Sequence, residues 1–159
     1  MERPGKTGFG ENNLTQPAAT LVTTEFEEQL KGLAEFRYLL RSFLSFSETS
    51  AEAEDITAQQ YQLLQVVGAA GPGGASISLV AQRMLLRHNS AVELVDRAER
   101  CTLVRRTADE ADLRRSIVRL TPRGEELLVR LVGAHVRYLE SSAGTLIAAM
   151  NGLLPSGDR

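Results

Sequence analysis

Apolar residues recur at helical spacing along two long stretches, one near each end of the chain. In the first, over about 24–48, they follow one another at intervals of three, four and seven, which predicts an amphipathic helix. The second runs over about 122–154, where Thr121 and Pro122 have the form of an N-cap and a first helical proline. Gly144 predicts a kink or a break before a short last helix that ends near Leu154. Stripes this long either cover the protein's own core or pair with a second chain.

Shorter helices are predicted between these stretches. Thr57 opens a Thr-x-x-Gln capping box, which predicts the start of a helix that ends at the run Gly71-Pro72-Gly73-Gly74. Two further helices, over about 79–85 behind a Ser78 cap and over about 88–101, are separated by only two residues. Two helices joined by so short a turn are typical of a helix-turn-helix.

The apolar period changes to two after the last of these helices. Segments 102–107 and 115–120 are rich in β-branched or alternating residues and flank a polar, charged stretch. This pattern predicts a β-hairpin with a charged tip.

Length and composition are those of an ordinary globular protein. The 159 residues, 43% hydrophobic and 24% charged, are enough for one domain and exclude disorder throughout. Residues 1–23 lack apolar periodicity and are expected to form a flexible N-terminal arm without a secretory signal. The longest apolar runs are too short to span a membrane. Cys101, the single cysteine, excludes an intrachain disulfide and a cysteine-based zinc site, which favours a reducing, cytoplasmic setting.

The net charge of −2 conceals an uneven distribution. Residues 24–75 hold eight acids and three bases, whereas residues 76–124 hold six acids and ten bases, all of them arginines. A basic block on a helix-turn-helix and a hairpin is typical of a DNA-binding surface, and arginine suits bidentate contacts and narrow minor grooves. The alternative is a solvated surface in which these arginines pair with Glu93, Asp96 and Glu99.

One run of residues carries a family resemblance. Residues 112–124, Asp-Leu-Arg-Arg-Ser-Ile-Val-Arg-Leu-Thr-Pro-Arg-Gly, resemble the wing signature of the MarR family of bacterial regulators. That signature is Asp-x-Arg, then a strand ending in Val-x-Leu-Thr, then a glycine just inside the next helix. Segments 95–97 and 103–106 resemble the end of the family's recognition helix and the start of its wing, and 57–61 resembles the opening of its second helix. The likeness extends over about residues 24–150.

The resemblance implies a mainly α fold with a small β-wing, a winged helix-turn-helix with N- and C-terminal dimerisation helices. It implies a single domain over 24–154, with dimerisation helices at about 24–48 and 122–154 and a DNA-reading lobe at about 57–121. Helix 88–101 is then expected to enter the major groove, and the hairpin tip the flanking minor groove. The expected partners are a second copy of the chain and double-stranded DNA with a pseudo-palindromic sequence.

The resemblance also implies which residues meet the DNA. The expected contacts are Arg87, His88, Asn89, Ser90, Glu93, Arg97, Arg106, Arg114 and Arg115, with Asp112 orienting Arg114 at the wing tip. Other roles stay open for some of them. Glu93 could restrain Arg97, while Arg97 and Arg106 could brace the helix and the wing. Arg115 could pair with Asp109 or Glu110.

Two positions depart from the family pattern. Thr102 stands where the family usually has a glycine after the recognition helix, so the backbone at this helix end is expected to be more strained. Arg87 stands near the expected N-cap of that helix, where Ser, Thr or Asp is commoner. A phosphate contact would explain an arginine there.

The resemblance places a ligand cleft between the dimerisation helices and the DNA-reading lobe. It implicates five residues: Phe36, Arg37, Leu40, Phe43 and Tyr61. Such positions suit an organic acid or a phenolic ligand, although core packing explains them equally well. His135 is expected to be a dimer-interface or surface histidine, and Cys101 a small, half-buried core residue.

The sequence therefore predicts a dimeric, cytoplasmic transcriptional regulator, a repressor relieved by a small aromatic or phenolic ligand. No cofactor or metal is expected. Catalysis is not expected either, because no phosphate loop, His/Cys cluster or nucleophile motif is found. The rival hypothesis is a winged-helix protein–protein interaction module whose Arg-rich face binds an acidic partner.

Overall fold

Two long helices pack against each other along one side of the molecule. The computed structural model describes residues 24–108 and 116–153, the side chains of residues 24 and 25 excepted. Helix α1 spans Thr24–Glu52 and helix α5 spans Pro122–Asn151. Helix α5 is continuous through Gly144, so the predicted break and separate last helix are wrong. An isolated glycine weakens a helix by only about 1 kcal/mol, a cost that a long helix packed against α1 can tolerate.

The N-terminal ends of α2 and α5 are set by threonine caps, as predicted. In α2, Ala58–Ala69, the Gln60 amide donates to Thr57 Oγ1 at 3.2 Å, and the Thr57 amide donates to Gln60 Oε1 at 2.9 Å. This reciprocal pair confirms the capping box. In α5 the Gly124 amide donates to Thr121 Oγ1 at 3.1 Å.

A short strand sets the start of the helix-turn-helix. A 3-10 turn, Gly71–Gly73, follows α2 and leads into strand β1, Ala75–Ser76, and then helix α3, Ile77–Arg83. The cap of α3 is Ser76, whose Oγ accepts from the Leu79 amide at 3.1 Å, so the prediction of a Ser78 cap is wrong. Ser76 is the last residue of β1 and pairs with β3, so the extended segment ends there. Helix α3 therefore begins at Ile77, two residues earlier than predicted. Helix α4, His88–Arg100, follows after a short turn.

The wing is a three-stranded antiparallel sheet. Strand β2, Val104–Ala108, and strand β3, Ser116–Leu120, form the predicted hairpin, and β1 pairs with the other edge of β3. The register places Arg106 opposite Val118, and Arg105 opposite Arg119. Arg106 and Arg105 therefore point to opposite faces of the sheet. The face that carries Arg106 contacts α4.

The buried core lies where α2, α3 and α4 meet the sheet and the first turns of α5. Its largest fully buried side chains are Tyr61, Leu63, Leu64, Val67, Val80, Leu94, Val95, Leu103, Val104 and Val118. The molecule is thus mainly helical with a small β-wing, which confirms the winged helix-turn-helix fold. No helix among the described residues is long and apolar enough to cross a membrane.

The long helices carry a different kind of surface. Twelve large apolar side chains on α1 and α5 are exposed. They are Phe26, Leu30, Leu33, Tyr38, Leu40 and Leu44 on α1, and Val129, Val132, Val136, Leu139, Ile147 and Met150 on α5. We call this set the apolar face of α1 and α5.

Candidate nucleic-acid interface

Helix α4 buries one side and presents the other to solvent. Its buried residues, Ala91, Leu94, Val95 and Ala98, pack into the core. The three residues that open the helix, His88, Asn89 and Ser90, are exposed. Glu93 and Arg97, on the side opposite the buried residues, are exposed as well. The exposed side is therefore polar and available to a groove-sized partner. No ion pair within 4.0 Å joins Glu93 to Arg97 in the described structure.

The first turn of α4 has no side-chain cap. Arg87 occupies the N-cap position, as predicted, and its exposed side chain makes no capping hydrogen bond. The amides that open the helix consequently lack a side-chain acceptor. Such an end carries the positive pole of the helix dipole and favours a phosphate oxygen.

Arg106 joins the wing to the same helix. Its Nη2 lies 2.6 Å from Asp96 Oδ1, and its Nη1 lies 2.8 Å from Glu99 Oε2. The Arg106 backbone amide donates to Glu99 Oε1 at 2.9 Å. The geometry supports the bracing alternative for Arg106, since both acids of α4 hold its guanidinium against the helix.

The end of α4 is tied to α5. Thr102 adopts a left-handed conformation with a φ of 56°, which a β-branched residue rarely does. The Thr102 and Leu103 amides donate to the Glu99 and Ala98 carbonyls, both at 2.9 Å, in a Schellman-type closure. Arg123 Nη1 donates to the Cys101 carbonyl at 3.1 Å, so α5 supports the strained turn.

The wing stem carries two further arginines on its other face. Arg119 donates through Nε to Thr107 Oγ1 at 3.2 Å and through Nη1 to the Pro72 carbonyl, which braces the turn after α2. Arg105, directly opposite, is exposed. The predicted wing-tip residues Asp112, Arg114 and Arg115 lie outside the described residues.

Eight of the ten arginines of the basic block lie within the described residues, and they divide into two groups. One group is held by the fold and comprises Arg106, Arg119 and Arg123. The other is exposed and forms no ion pair to a described residue: Arg83, Arg87, Arg97, Arg100 and Arg105. Pairing with Asp96 and Glu99, as in the solvated-surface alternative, accounts for Arg106 alone, and the five exposed arginines form no ion pair with a described acid.

The predicted ligand residues fall in three places. Phe36, Leu40 and Phe43 line a mostly apolar cavity of about 150 Å³ between α1 and α5, together with residues such as Tyr138. Arg37 is exposed and does not line the cavity. Tyr61 is buried in the core and does not line it either.

His135 is buried inside the chain, so the prediction of a surface or interface histidine is wrong. Its Nδ1 donates to the Leu131 carbonyl at 2.7 Å, and its ring centroid lies 5.6 Å from that of Phe43 and 4.7 Å from that of Tyr61. Its Nε2 has no hydrogen-bond partner within the described residues. Burial raises the pKa of Tyr61. The sequence did contain a signal for the burial of His135: its helical spacing from Leu127 and Leu131, which lie on the same buried side of α5.

Cys101 is exposed, so the prediction of a half-buried core residue is wrong. It stands at the C-cap of α4, and its Sγ accepts a hydrogen bond from Gln60 Nε2 at 3.5 Å. No group of three potential metal ligands was found in the described part of the chain.

Comparisons with known proteins agree with this architecture. The sequence model of the MarR family matches residues 54–115. A protein of Thauera aromatica, named as a transcriptional regulatory protein for the hcr operon, is 30% identical over 115 residues, covering 72% of this chain and 68% of that protein. A MarR family protein from Bacillus stearothermophilus has a TM-score of 0.63 at 24% identity, covering 76% of this chain and 81% of its own. MepR of S. aureus, solved as a complex with DNA, has a TM-score of 0.60 at 22% identity, covering 70% and 80%.

Proposed function

The chain belongs to the MarR family of transcriptional regulators, and from that premise we propose that it is a cytoplasmic homodimer that represses transcription by binding a pseudo-palindromic DNA site. The observation that carries this proposal is the exposed side of α4. It presents polar side chains and unpaired arginines, whereas the neighbouring Arg106 is held by Asp96 and Glu99. A fold-stabilising role accounts for Arg106. The exposed arginines have no such role in the described structure and are available to bind a partner.

The proposed DNA contacts follow from the position of each residue on α4. Asn89 and Ser90 in the first turn suit hydrogen bonds to base edges, and Arg87 beside the uncapped amides suits a phosphate. Glu93 and Arg97 follow on the same exposed side of α4, one and two turns further along the helix, and would contact the DNA further along the groove. Arg114 and Arg115, with Asp112 as orienting acid, complete the proposal at the wing tip.

The proposed dimer interface is the apolar face of α1 and α5. Monomeric proteins rarely leave so many large apolar side chains exposed on adjoining elements, and covering them with a second copy removes them from water. A two-fold dimer presents two copies of α4, which can then enter successive major grooves about 34 Å apart. MepR, of the same fold, has been solved bound to DNA.

The proposed inducer site is the cavity beside Phe36, Leu40 and Phe43. Its volume of about 150 Å³ and apolar lining suit a single aromatic ring. A ligand there would lie between α1 and α5, and occupancy would favour a spacing of the two lobes that no longer matches successive grooves. Arg37 lies outside this cavity and is not needed by the proposal.

The test is a binding titration of the purified dimer on the DNA flanking its own gene and on random duplex, at several salt concentrations. We expect preference for the flanking DNA and an affinity that falls steeply with salt, because phosphates are neutralised. Arg97→Ala is expected to weaken binding by about tenfold. Arg130→Ala, which removes the same charge on α5, serves as the matched control and is expected to leave binding close to wild type.

The rival function, an interaction module for an acidic protein, predicts a different result. It requires no preference for the flanking DNA over random duplex at moderate salt. That outcome would contradict the proposed repressor. Release of the flanking DNA by benzoate or a phenol, with no release by an aliphatic acid, would support the proposed inducer site.

A further inference from the structure

Leu85 stands apart from every other exposed large apolar residue that the structure describes. Thirteen such residues are exposed, and the other twelve form the apolar face of α1 and α5. Leu85 lies in the turn between α3 and α4 instead, and it is 94% exposed, the highest value of the set. The proposed dimer interface therefore does not account for it.

The backbone at Leu85 gives no local reason for a leucine. Leu85 has a φ of 54°, in the left-handed region that favours glycine or asparagine. It is the residue just past the end of α3: the Leu86 amide donates to the Ala81 carbonyl at 2.9 Å, and the Leu85 amide donates to the Gln82 carbonyl at 3.3 Å. Glycine would close this helix end with less strain. Because the side chain is also unburied, the fold gains little from it.

Two cations flank this leucine. Arg83 in the last turn of α3 and Arg87 at the start of α4 are both exposed, and neither forms an ion pair to a described residue. Each stands two residues from Leu85 in sequence. A short segment that carries an exposed leucine and an exposed arginine two residues to either side of it would complement a surface in which an apolar group lies between two anions.

We propose that Leu85 packs against a deoxyribose of the DNA backbone while Arg83 and Arg87 bind the phosphates on either side of it. In a helix-turn-helix the first helix crosses the backbone and the second enters the groove, so the turn between them passes over the strand. The C–H groups of the sugar supply the apolar surface that Leu85 lacks. This contact rests on the proposed DNA-binding function and adds a residue to it that the sequence pattern did not indicate.

The test compares Leu85→Gly, Leu85→Asn and Leu85→Met in the full-length dimer on the flanking DNA and on random duplex. Gly and Asn both accept the left-handed backbone, and thermal unfolding is expected to be unchanged or shifted upward for Leu85→Gly. Partial burial of a leucine side chain corresponds to about fivefold in affinity per half-site, hence about 25-fold for a dimer on two half-sites. Leu85→Met keeps the apolar contact and is expected to bind within about twofold of wild type.

The salt dependence separates this apolar contact from the charged ones beside it. Leu85→Gly is expected to lower affinity for both duplexes by the same factor without changing the slope of log affinity against log salt. Arg83→Ala and Arg87→Ala are expected to reduce that slope by about 1 per half-site.

The possible failures are distinguishable. Wild-type protein that binds neither duplex would overturn the proposed function and this contact with it. Wild-type binding matched by Leu85→Gly would overturn the contact alone. A loss confined to the flanking DNA would also overturn it, because it would indicate a base contact in place of the backbone.

Discussion

Replacement of Arg106 by alanine tests whether the wing is held to the recognition helix by its ion pairs. The change removes the contacts at 2.6 Å to Asp96 and 2.8 Å to Glu99. The hydrogen bond from the residue-106 amide to Glu99 is a backbone contact and is retained. The two carboxylates are then left side by side on α4 without a counter-ion.

The magnitude follows from the exposure of the three side chains. Hydrogen bonds to charged groups contribute about 1.5–3 kcal/mol when buried, and exposed ion pairs about 0.2–1 kcal/mol. Arg106 is 27% exposed, Asp96 43% and Glu99 38%, so solvent screens the pairs substantially. We expect Arg106→Ala to lower the free energy of unfolding by about 1–2 kcal/mol. For a chain of this length that is a fall in Tm of about 4 °C.

Urea and thermal denaturation at one fixed protein concentration measure this loss, because the stability of a dimer depends on concentration. Arg105→Ala is the matched control: it removes the same charge from the adjacent position, on the opposite face of the sheet. We expect it to change the free energy of unfolding by less than about 0.5 kcal/mol. Equal effects of the two substitutions would refute the bracing role of Arg106.

Three further predictions concern the fold that supports the interface. Gly124→Ala is expected to destabilise the protein by about 3 kcal/mol, because a Cβ there would overlap the Leu103 carbonyl oxygen; chemical denaturation measures it. Thr57→Ala, which removes the cap of α2, is expected to cost about 1 kcal/mol in the same assay. The hydrogen bond from Arg130 lowers the pKa of Glu54, so an NMR titration is expected to place it below the ordinary glutamate value. This pair therefore stabilises the fold above the unfolded-state pKa of Glu54, and that stabilisation is lost as the pH falls through the lowered folded-state value.

Each of these predictions has its control. Gly144→Ala, on the same helix but with open space around the added Cβ, is expected to be neutral or stabilising, and equal losses at both glycines would refute the overlap argument. Thr57→Ser keeps the hydroxyl and is expected to retain most of the stability lost in Thr57→Ala. In Arg130→Ala the pKa of Glu54 is expected to return toward its ordinary value, and no return would contradict the assigned cause.

The features that the sequence predicted well depend on neighbouring residues. The capping box at Thr57 and the cap at Thr121 are contacts over three residues, and both form as expected. The hairpin strands and α4 follow from periodicity alone. Local patterns of this kind determine which elements form, and the order of the elements identifies the fold.

The features that the sequence missed depend on contacts far along the chain. Ser76 caps α3 because its own strand pairs with β3, about forty residues later. Gly144 is tolerated because α5 packs along α1. The spacing of His135 from Leu127 and Leu131 indicates the buried side of α5, but the rings of α1 and α2 that enclose it are not revealed by its neighbours in sequence.

The candidate site divides in the same way. The exposed side of α4 follows from helical periodicity, so its residues were predictable. The partners of Arg106 became definite only when the hairpin register placed it opposite Val118, facing α4. Leu85 was not predicted, because its exposure depends on the left-handed turn that ends α3.

The central claim is that a dimer reads two half-sites through two copies of α4. Footprinting of the full-length protein on the DNA flanking its own gene tests it most directly. We predict two protected, symmetry-related half-sites with centres about 10 base pairs, one helical turn, apart. Protection of a single half-site, or uniform protection without sequence preference, would contradict the claim.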